Sequence, residues 1–442
     1  ILSKTQHNEV APAQHEMAPI YSTANIATDH NQLVMETMKK VARRHNFECL
    51  LHEKPFAGVN GSGKHDNWSL VTNTGKNLLS PGKTPYDNKQ FLLFLSAVIA
   101  AVDDNAALLR MSASNPGNDH RLGANEAPPA IISIFLGEQL EDIVEQILQN
   151  GTATHSNKGE RMDIGVHTIP PIKKDATDRN RTSPFAFTGN KFEFRMVASS
   201  MSIAGANTVL NATVADVLQS MADRMEKADD LDKTVDEIIY ETLKEHQKVI
   251  FNGNGYSDEW IAEAEKRGLP NVKTMVDATA SLLYPKTIEM FERQHVYTKT
   301  ELESRAEINY EAYAKAINIE AKTMIHMASK EYIPAIISYV TSLGDSINSI
   351  SAACAEADLS VQKDLLTTCS SLLAKAQTAL YALKDADKKA NAMEEGKEQA
   401  EFFRDTVFTA MADLRAPIDE LEMIVDKEYW PVPSYGDMLF EV

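Results

Sequence analysis

The chain has 442 residues, 43% of them hydrophobic, with 63 acidic against 44 basic side chains and a formal net charge of −19. Such a length buries a full core and leaves room for about two or three domains, while the negative field repels nucleic acid and anionic membrane, so neither is expected as a partner. The longest apolar run, FLLFLSAVIAAV at 91–102, falls well short of the roughly 20 residues that span a bilayer. Cys49, Cys354 and Cys369 form no C-x-x-C pair and no even framework, which predicts reduced thiols, packed in the core of a cytoplasmic protein.

The first residues, ILSKTQHNEVAPAQHE, lack an initiator methionine and read as strand at once, so the chain is expected to be cut from something longer. In order, NEVAPAQHEMAPIYS reads as strand, about 29–46 as helix, FECLLHEKP as strand, 89–104 as helix and AIISIFL as strand. Residues 138–149 carry Leu140, Ile143, Val144, Ile147 and Leu148 on one helical stripe, with Gly151 just past the end. This is α+β text, and it extends to about residue 205, giving a first domain of 1–205 and a helical extension of 206–442. Within the extension, about 298–427 is almost wholly helix-forming, and breaks at SLGDS (342–346) and KDADKKANAMEEGK (384–397) predict three long helices in an antiparallel bundle. The ending YWPVPSYGDMLFEV reads as a docking strap.

Chemistry concentrates before residue 205. In KPFAGVNGSGKHDNWSL (54–70), Gly58, Gly61 and Gly63 permit positive φ or a close approach to a ligand, yet the stretch fits neither a P-loop nor a dinucleotide fingerprint. His65 follows that loop, and Glu9 and Glu16 precede it in NEVAPAQHE; carboxylate oxygens suit hard divalent cations such as Mg²⁺ or Mn²⁺. A uniform strand puts positions seven apart on opposite faces, so a turn or bulge at Pro12 is required for the two glutamates to converge. In NKFEFRM (190–196), Lys191, Glu193 and Arg195 share one strand face and Phe192, Phe194 and Met196 the other. The charged face presents cation, anion and cation at intervals of about 7 Å, either as a salt-bridged face in solvent or as a ligand for phosphate, metal and carboxylate. DRNRTSP adds Arg179 and Arg181, and NDHRLGANEAPP adds Arg121 and Glu126. Arginines gathered around glycine loops in an acidic chain point to a polyanion with metals, and a nucleoside triphosphate is the natural candidate.

In this order, E…AxQHE, KPFAGVNGSGKHDNWS, RLGANEAPP, RNRTS and KFEFR resemble the catalytic domain of glutamine synthetase, and the helical remainder with its YWPVPSYGDMLFEV ending is similar to the large type III enzymes of bacteria. The resemblance implies an antiparallel sheet with flanking helices, followed by the all-helical extension. It implies a ligase that joins ammonia to glutamate at the expense of ATP, with two Mg²⁺ (or Mn²⁺) ions, in a homo-oligomer of rings whose sites lie between subunits. Residue by residue, Glu9 and Glu16 match ligands of one metal and His65 and Glu193 ligands of the other. Asn60 and Gly61 match the loop that holds the amino acid, Arg121 and Arg195 the arginines on its carboxylates, and Asn67, Ser69 and Lys191 contacts to ATP. Arg181 matches the arginine at the transferred phosphoryl group and Glu126 the flap glutamate where ammonia attacks.

The chain departs from the pattern in places. Glu9 to Glu16 and Arg121 to Glu126 are each one residue shorter than in the commonest type, Lys64 replaces an apolar residue, and Ala186 stands where a second arginine is expected, leaving Arg179 or a lysine to substitute. The family's amino-terminal domain, its strand with two further metal glutamates and its ammonium-binding aspartate loop have no counterpart here, so these 442 residues alone are expected to be inactive. Two other readings remain open: a ligase joining glutamate to a bulkier amine, and a non-catalytic assembly or regulatory subunit of the same fold.

Overall fold

The computed structural model describes residues 1–442 apart from Pro12, 157–160, 163–171, 174–179, Tyr435 and 438–442, and of the side chains at 161, 162, 172 and 173 nothing is said. The turn required at Pro12 and the spare arginine at Arg179 therefore fall outside the described residues. The chain divides into two compact units, Ile1–Arg305 and Ala306–Val442.

The first unit opens with an antiparallel hairpin of β1 (Ser3–Asn8) and β2 (His15–Pro19), then α1 (Ala24–Arg44). There follow β3 (Gly63–Trp68), α2 (Lys89–Asp104), α3 (Ala106–Ser112), α4 (Pro116–Arg121), β4 (Ile134–Phe135) and α5 (Glu138–Asn150). A two-residue pair, β5 (Arg161–Met162) and β6 (Ile172–Lys173), precedes β7 (Phe185–Phe187) and β8 (Phe192–Ala198). Helices α6 (Ala204–Met225), α7 (Leu231–His246), α8 (Asp258–Lys266), α9 (Met275–Thr279) and α10 (Pro285–Arg293) complete it.

The central sheet runs β3-β8-β7-β4. Its first three strands are antiparallel, whereas β4 lies parallel to β7, a departure from the uniform antiparallel sheet expected. A parallel neighbour demands a crossover connection, and α5 lies on the one between β4 and β7. FECLLHEKP forms no strand: its Glu53 is spent on capping loops instead, as described below. The sheet's core is aromatic. Phe185 stacks on Phe192 at 4.8 Å between ring centroids, Phe187 meets Phe192 edge-on at 5.2 Å, and Phe91 of α2 reaches Phe187 at 5.9 Å. Helix α2 is buried nearly all round, as a run without a polar face must be, and it starts where the Asn88 side chain accepts the Phe91 amide at 3.1 Å. Its far end is locked to α7 by Asp103, whose Oδ2 lies 2.8 Å from His246 Nδ1 and 3.4 Å from Lys248 Nζ.

In the second part of the chain α11 (Lys299–Met327) passes through a π turn at Ala328–Tyr332 into α12 (Ile333–Ala353). Then come α13 (Ser360–Ala390), α14 (Lys397–Phe402), a second π turn at Phe403–Val407 and α15 (Phe408–Glu422). The break expected at 342–346 is absent: Gly344 lies inside α12, a single glycine costing only about 1 kcal/mol in a helix. The helix ends instead at Cys354, where the backbone turns extended (φ −150°, ψ 101°). Cys369, Leu372, Ala376, Leu380 and Leu383 form the buried stripe of α13, which packs against both α12 and α15. Tyr429 and Trp430 of the tail meet Tyr339 and Tyr332 at 5.6 and 5.0 Å. Of the three cysteines only Cys369 is a core thiol; Cys49 is half-buried and Cys354, at a helix end, is exposed.

Candidate active site

The hairpin brings Glu9 and Glu16 together. Its register sets His7 opposite Glu16, and the reversal is held by Glu9 N donating to Gln14 O at 2.8 Å, with Ala13 at φ +50°. The imidazole of His7 then stands between the carboxylates, Nε2 3.3 Å from Glu16 Oε2 and Nδ1 3.6 Å from Glu9 Oε1. One ligand atom from each of the three lies within 4.8 Å of the others. Two carboxylates and an imidazole make a donor set that fits a divalent cation. His7 was not foreseen, although it lies two residues before Glu9 and so shares that strand's alternation.

The glycine-rich loop makes room for protein rather than for a ligand alone. Gly58 has φ +77° and is a true left-handed position. At Gly63, however, a Cβ would lie 2.0 Å from Nη2 of Arg121, and at Gly61 it would lie 2.5 Å from the Glu53 carbonyl oxygen. These glycines let the Arg121 side chain pass beneath the loop. Arg121 is 4% exposed; Nη1 donates to Asn118 Oδ1 at 3.1 Å and Nη2 to the Arg195 carbonyl at 3.0 Å. Burial lowers its pKa to about 10. The loop is fastened from two sides. Gln14 Nε2 donates to Gly61 O and to Ser62 Oγ, both at 3.0 Å, tying it to the hairpin. Glu53, 2% exposed, accepts Asn115 Nδ2 at 2.9 Å and the Ser200 amide at 3.0 Å through Oε1, while its carbonyl takes the Ser62 amide at 2.8 Å. Neither Gln14 nor Glu53 was foreseen, and no local pattern in the sequence marks Glu53.

Strand β8 is buried throughout, so Glu193 and Arg195 do not form a solvated salt-bridge ladder. Arg195, 2% exposed, donates through Nε and Nη2 to one oxygen of Glu193, at 3.1 and 3.0 Å. Its Nη1 donates to the Asn180 carbonyl. A buried, charge-assisted fork of this kind fixes both groups. Glu193 Oε2 is also 4.0 Å from His65 Nδ1. His65 lies where the β3–β8 register shifts, between Lys64 and Asp66, and such an irregularity re-aims a side chain. Lys64, beside it, hydrogen-bonds the Ser199 carbonyl at 2.6 Å, and burial lowers its pKa to about 8.

Glu126 sits in a loop whose ends are pinned by Gly123 N to Pro128 O at 2.9 Å and Ala127 N to Ala124 O at 3.1 Å. Asn125 and Glu126 both hold positive φ, +52° and +66°, a conformation that persists for a glutamate only where its surroundings impose it. Its carboxylate accepts Arg181 Nη1 at 2.5 Å and Asn60 Nδ2 at 3.1 Å.

A continuous run of contacts thus leads from His65 through Glu193, Arg195, Asn180, Arg181 and Glu126 to Asn60, with Arg121 and Gly61 beneath. Asn67 borders it, paired with Glu193 across the strands, and its Nδ2 donates to His65 O at 3.0 Å. Ser69 and Lys191 lie at the other end of β3 and β8. Ser69 Oγ donates to Asn77 Oδ1 at 2.9 Å or to Asn190 O at 3.0 Å, closing the 69–77 turn on the residue before Lys191. Glu9 and Glu16 join the run through Gln14.

Residues 1–131 match the family model for the glutamine synthetase catalytic domain, and residues 234–351 match that for the glutamine synthetase C-terminal domain. A glutamine synthetase of Butyrivibrio fibrisolvens is 46% identical over 100% of this chain and 63% of its own length. The type-3 glutamine synthetase of Dictyostelium discoideum is 45% identical over 99% of this chain and 60% of its own, and a glutamine synthetase of Bacteroides fragilis 41% identical over 99% and 61%. The chain spans about three-fifths of the length of these curated relatives. With its site motifs in order and its whole length aligned, the chain belongs to the glutamine synthetase family.

Proposed function

We propose that this protein joins ammonia to the γ-carboxylate of L-glutamate, using ATP and passing through γ-glutamyl phosphate. The contact run from His65 to Asn60 carries the reading, because metal-type donors, the buried Arg195 and the Glu126–Arg181 ion pair stand along it. Asn60 and Gly61 hold the amino-acid substrate, with Arg121 and Arg195 supplying positive charge on its carboxylate side. Asn67, Ser69 and Lys191 serve the nucleotide. Glu9 and Glu16, with His7, would hold one divalent cation, Mg²⁺ or Mn²⁺, and His65 with Glu193 the other; when bound, such ions neutralise phosphate charge. The substrate's γ-carboxylate attacks the γ-phosphorus of ATP, the bond from that phosphorus to the β,γ-bridging oxygen breaks and ADP leaves, and the Arg181 guanidinium stabilises the charge that spreads over the transferred group. Glu126 then takes a proton from ammonium and shuts water out while ammonia displaces phosphate.

The same reading places the working protein in the cytoplasm, as a homo-oligomer of rings with sites shared between subunits. Among the described residues no single helix is long and apolar enough to cross a membrane. The test is an assay of the full-length protein with ATP, glutamate and Mg²⁺, following phosphate and glutamine. Ammonium-dependent release of both supports the reading. Turnover only with a bulkier amine moves the substrate class, and no turnover with an intact fold makes the chain an assembly or regulatory subunit.

A further inference from the structure

Lys64 stands where an apolar residue is expected, and no step of the proposed reaction uses it. Side chains of β3 alternate: His65 and Asn67 are exposed, whereas Lys64 is half-buried and Asp66 and Trp68 are buried. The inward set reaches the chain that follows β8. Lys64 Nζ donates to the carbonyls of Ala198 at 3.4 Å, Ser199 at 2.6 Å and Met201, and Met35 Sδ of α1 lies 3.4 Å away. Asp66 Oδ2 accepts Asn207 Nδ2 at 3.0 Å and Trp68 Nε1 donates to Asn211 Oδ1 at 2.9 Å, both partners on α6. A cation drawn out of water is stable only where acceptors replace the water, and the three carbonyls supply them.

This clamp grips the strand pair at its irregular point. Lys64 pairs with Val197 but Asp66 with Phe194, so β8 spends one more residue than β3 across His65. An extra residue bends the ladder and re-aims the side chain there, and a one-residue slip would turn His65 to the other face. The Lys64 ammonium resists that slip, because it ties β3 to the turn after β8, in which Met201 N donates to Ala198 O at 3.2 Å. The turn is held in its own right: Ser199 Oγ donates to Leu51 O at 2.7 Å, and the Ser200 amide to Glu53 Oε1 at 3.0 Å. In this register His65 Nδ1 lies 4.0 Å from Glu193 Oε2.

We propose that Lys64 is a positioning residue for His65: its ammonium, seated on the carbonyls of Ala198, Ser199 and Met201, pins the bulge that presents His65 beside Glu193. This rests on the metal role given to His65 above. Lys64→Met removes the ammonium and keeps an unbranched stem beside Met35, whereas Lys64→Arg keeps a cation with donors. In the full-length protein, binding of Mn²⁺ alone is titrated by the electron-spin resonance of the free ion, with His65→Ala marking the class of site that His65 serves. That class should weaken about tenfold in Lys64→Met, the low end for a residue that orients a metal ligand, and Lys64→Arg should recover most of the affinity. Amides of 63–68 should exchange about tenfold faster in Lys64→Met, while peptides from α2 are unchanged. Unchanged Mn²⁺ affinity, unchanged exchange at 63–68, faster exchange throughout α2, or an arginine variant as weak as the methionine one would each overturn the proposal. If His65→Ala leaves Mn²⁺ binding as it is, the metal role of His65 fails, and exchange at 63–68 alone decides whether Lys64 holds the bulge.

Discussion

The two units bury different things. In Ile1–Arg305, Glu53, Arg110, Arg121, Glu193 and Arg195 are all at least nine-tenths buried, whereas among the described residues of Ala306–Val442 the one buried polar side chain is Gln399. Charges removed from water stay stable only when each is paired, and here each has its partner: Arg195 with Glu193, Arg110 with Asp119 at 3.1 Å, Arg121 with Asn118 and strand carbonyls. The helical unit places its charges at exposed i,i+4 positions such as Lys397–Glu401 and Arg415–Asp419, each worth a few tenths of a kcal/mol. The first unit thus carries buried charge, at a cost in stability, around the candidate site, whereas the described residues of the second keep their charges in solvent.

That contrast breaks most sharply at Glu193. Glu193→Ala leaves the Arg195 guanidinium buried without its carboxylate, so we expect a stability loss of about 3–5 kcal/mol together with abolished glutamine synthesis. Urea unfolding and a product assay check both, and near-normal activity at saturating Mg²⁺ would remove Glu193 from the site. In the helical unit, Leu380→Ala cuts a side chain that is 2% exposed and should cost about 2–5 kcal/mol. Its kcat should stay within about twofold, because no charge of the site is touched; a large fall in kcat at full folding would give this unit a part in the chemistry. Gly63→Ala should cost about 1–3 kcal/mol by pressing on Arg121, and should raise KM for glutamate more than it lowers kcat.

The smallest effect concerns pH. Burial lifts the Asp119 carboxyl to about 6, against the pull of Arg110 and the Met275 amide. The folded state therefore keeps a proton that the unfolded chain releases near pH 4, and stability falls as pH rises from about 4 to about 6 and then levels. Of the three tryptophans, Trp68 and Trp260 lie in the first unit and Trp430 in the second. Fluorescence-detected unfolding of Trp430→Phe thus follows the first unit alone, and a flat profile over that window would show that Asp119 stays ionised.

Helices announced themselves, α5 by its apolar stripe and α2 by a continuous apolar run, and both lie where the sequence put them. The helix end at Cys354 did not, because the sequence offers a glycine ten residues earlier and propensity says only that a glycine is tolerable, not that a helix must stop there. Site motifs were legible because their residue types are chemically unusual together. Their supports were not. Gln14 and Glu53 work through side-chain contacts across 47 or more positions in sequence, Gln14 to Gly61 and Glu53 to Asn115 among them. The burial of Glu193 and Arg195 was hidden for a similar reason, since alternation of polar and apolar residues normally means one wet face, and here a mutual ion pair allows both faces to be dry.

On the function proposed, the run of charge from Glu193 to Arg181 ends in a glutamate that guards a reactive acyl phosphate, and Glu126→Ala in the full-length protein tests this most directly. The variant removes the acceptor for Asn60 and Arg181 and should still bind ATP and glutamate. Phosphate and glutamine measured in one assay should then separate, with more than one phosphate released per glutamine, because water reaches the intermediate before ammonia. A ratio that stays at one, whatever the rate, would contradict the account.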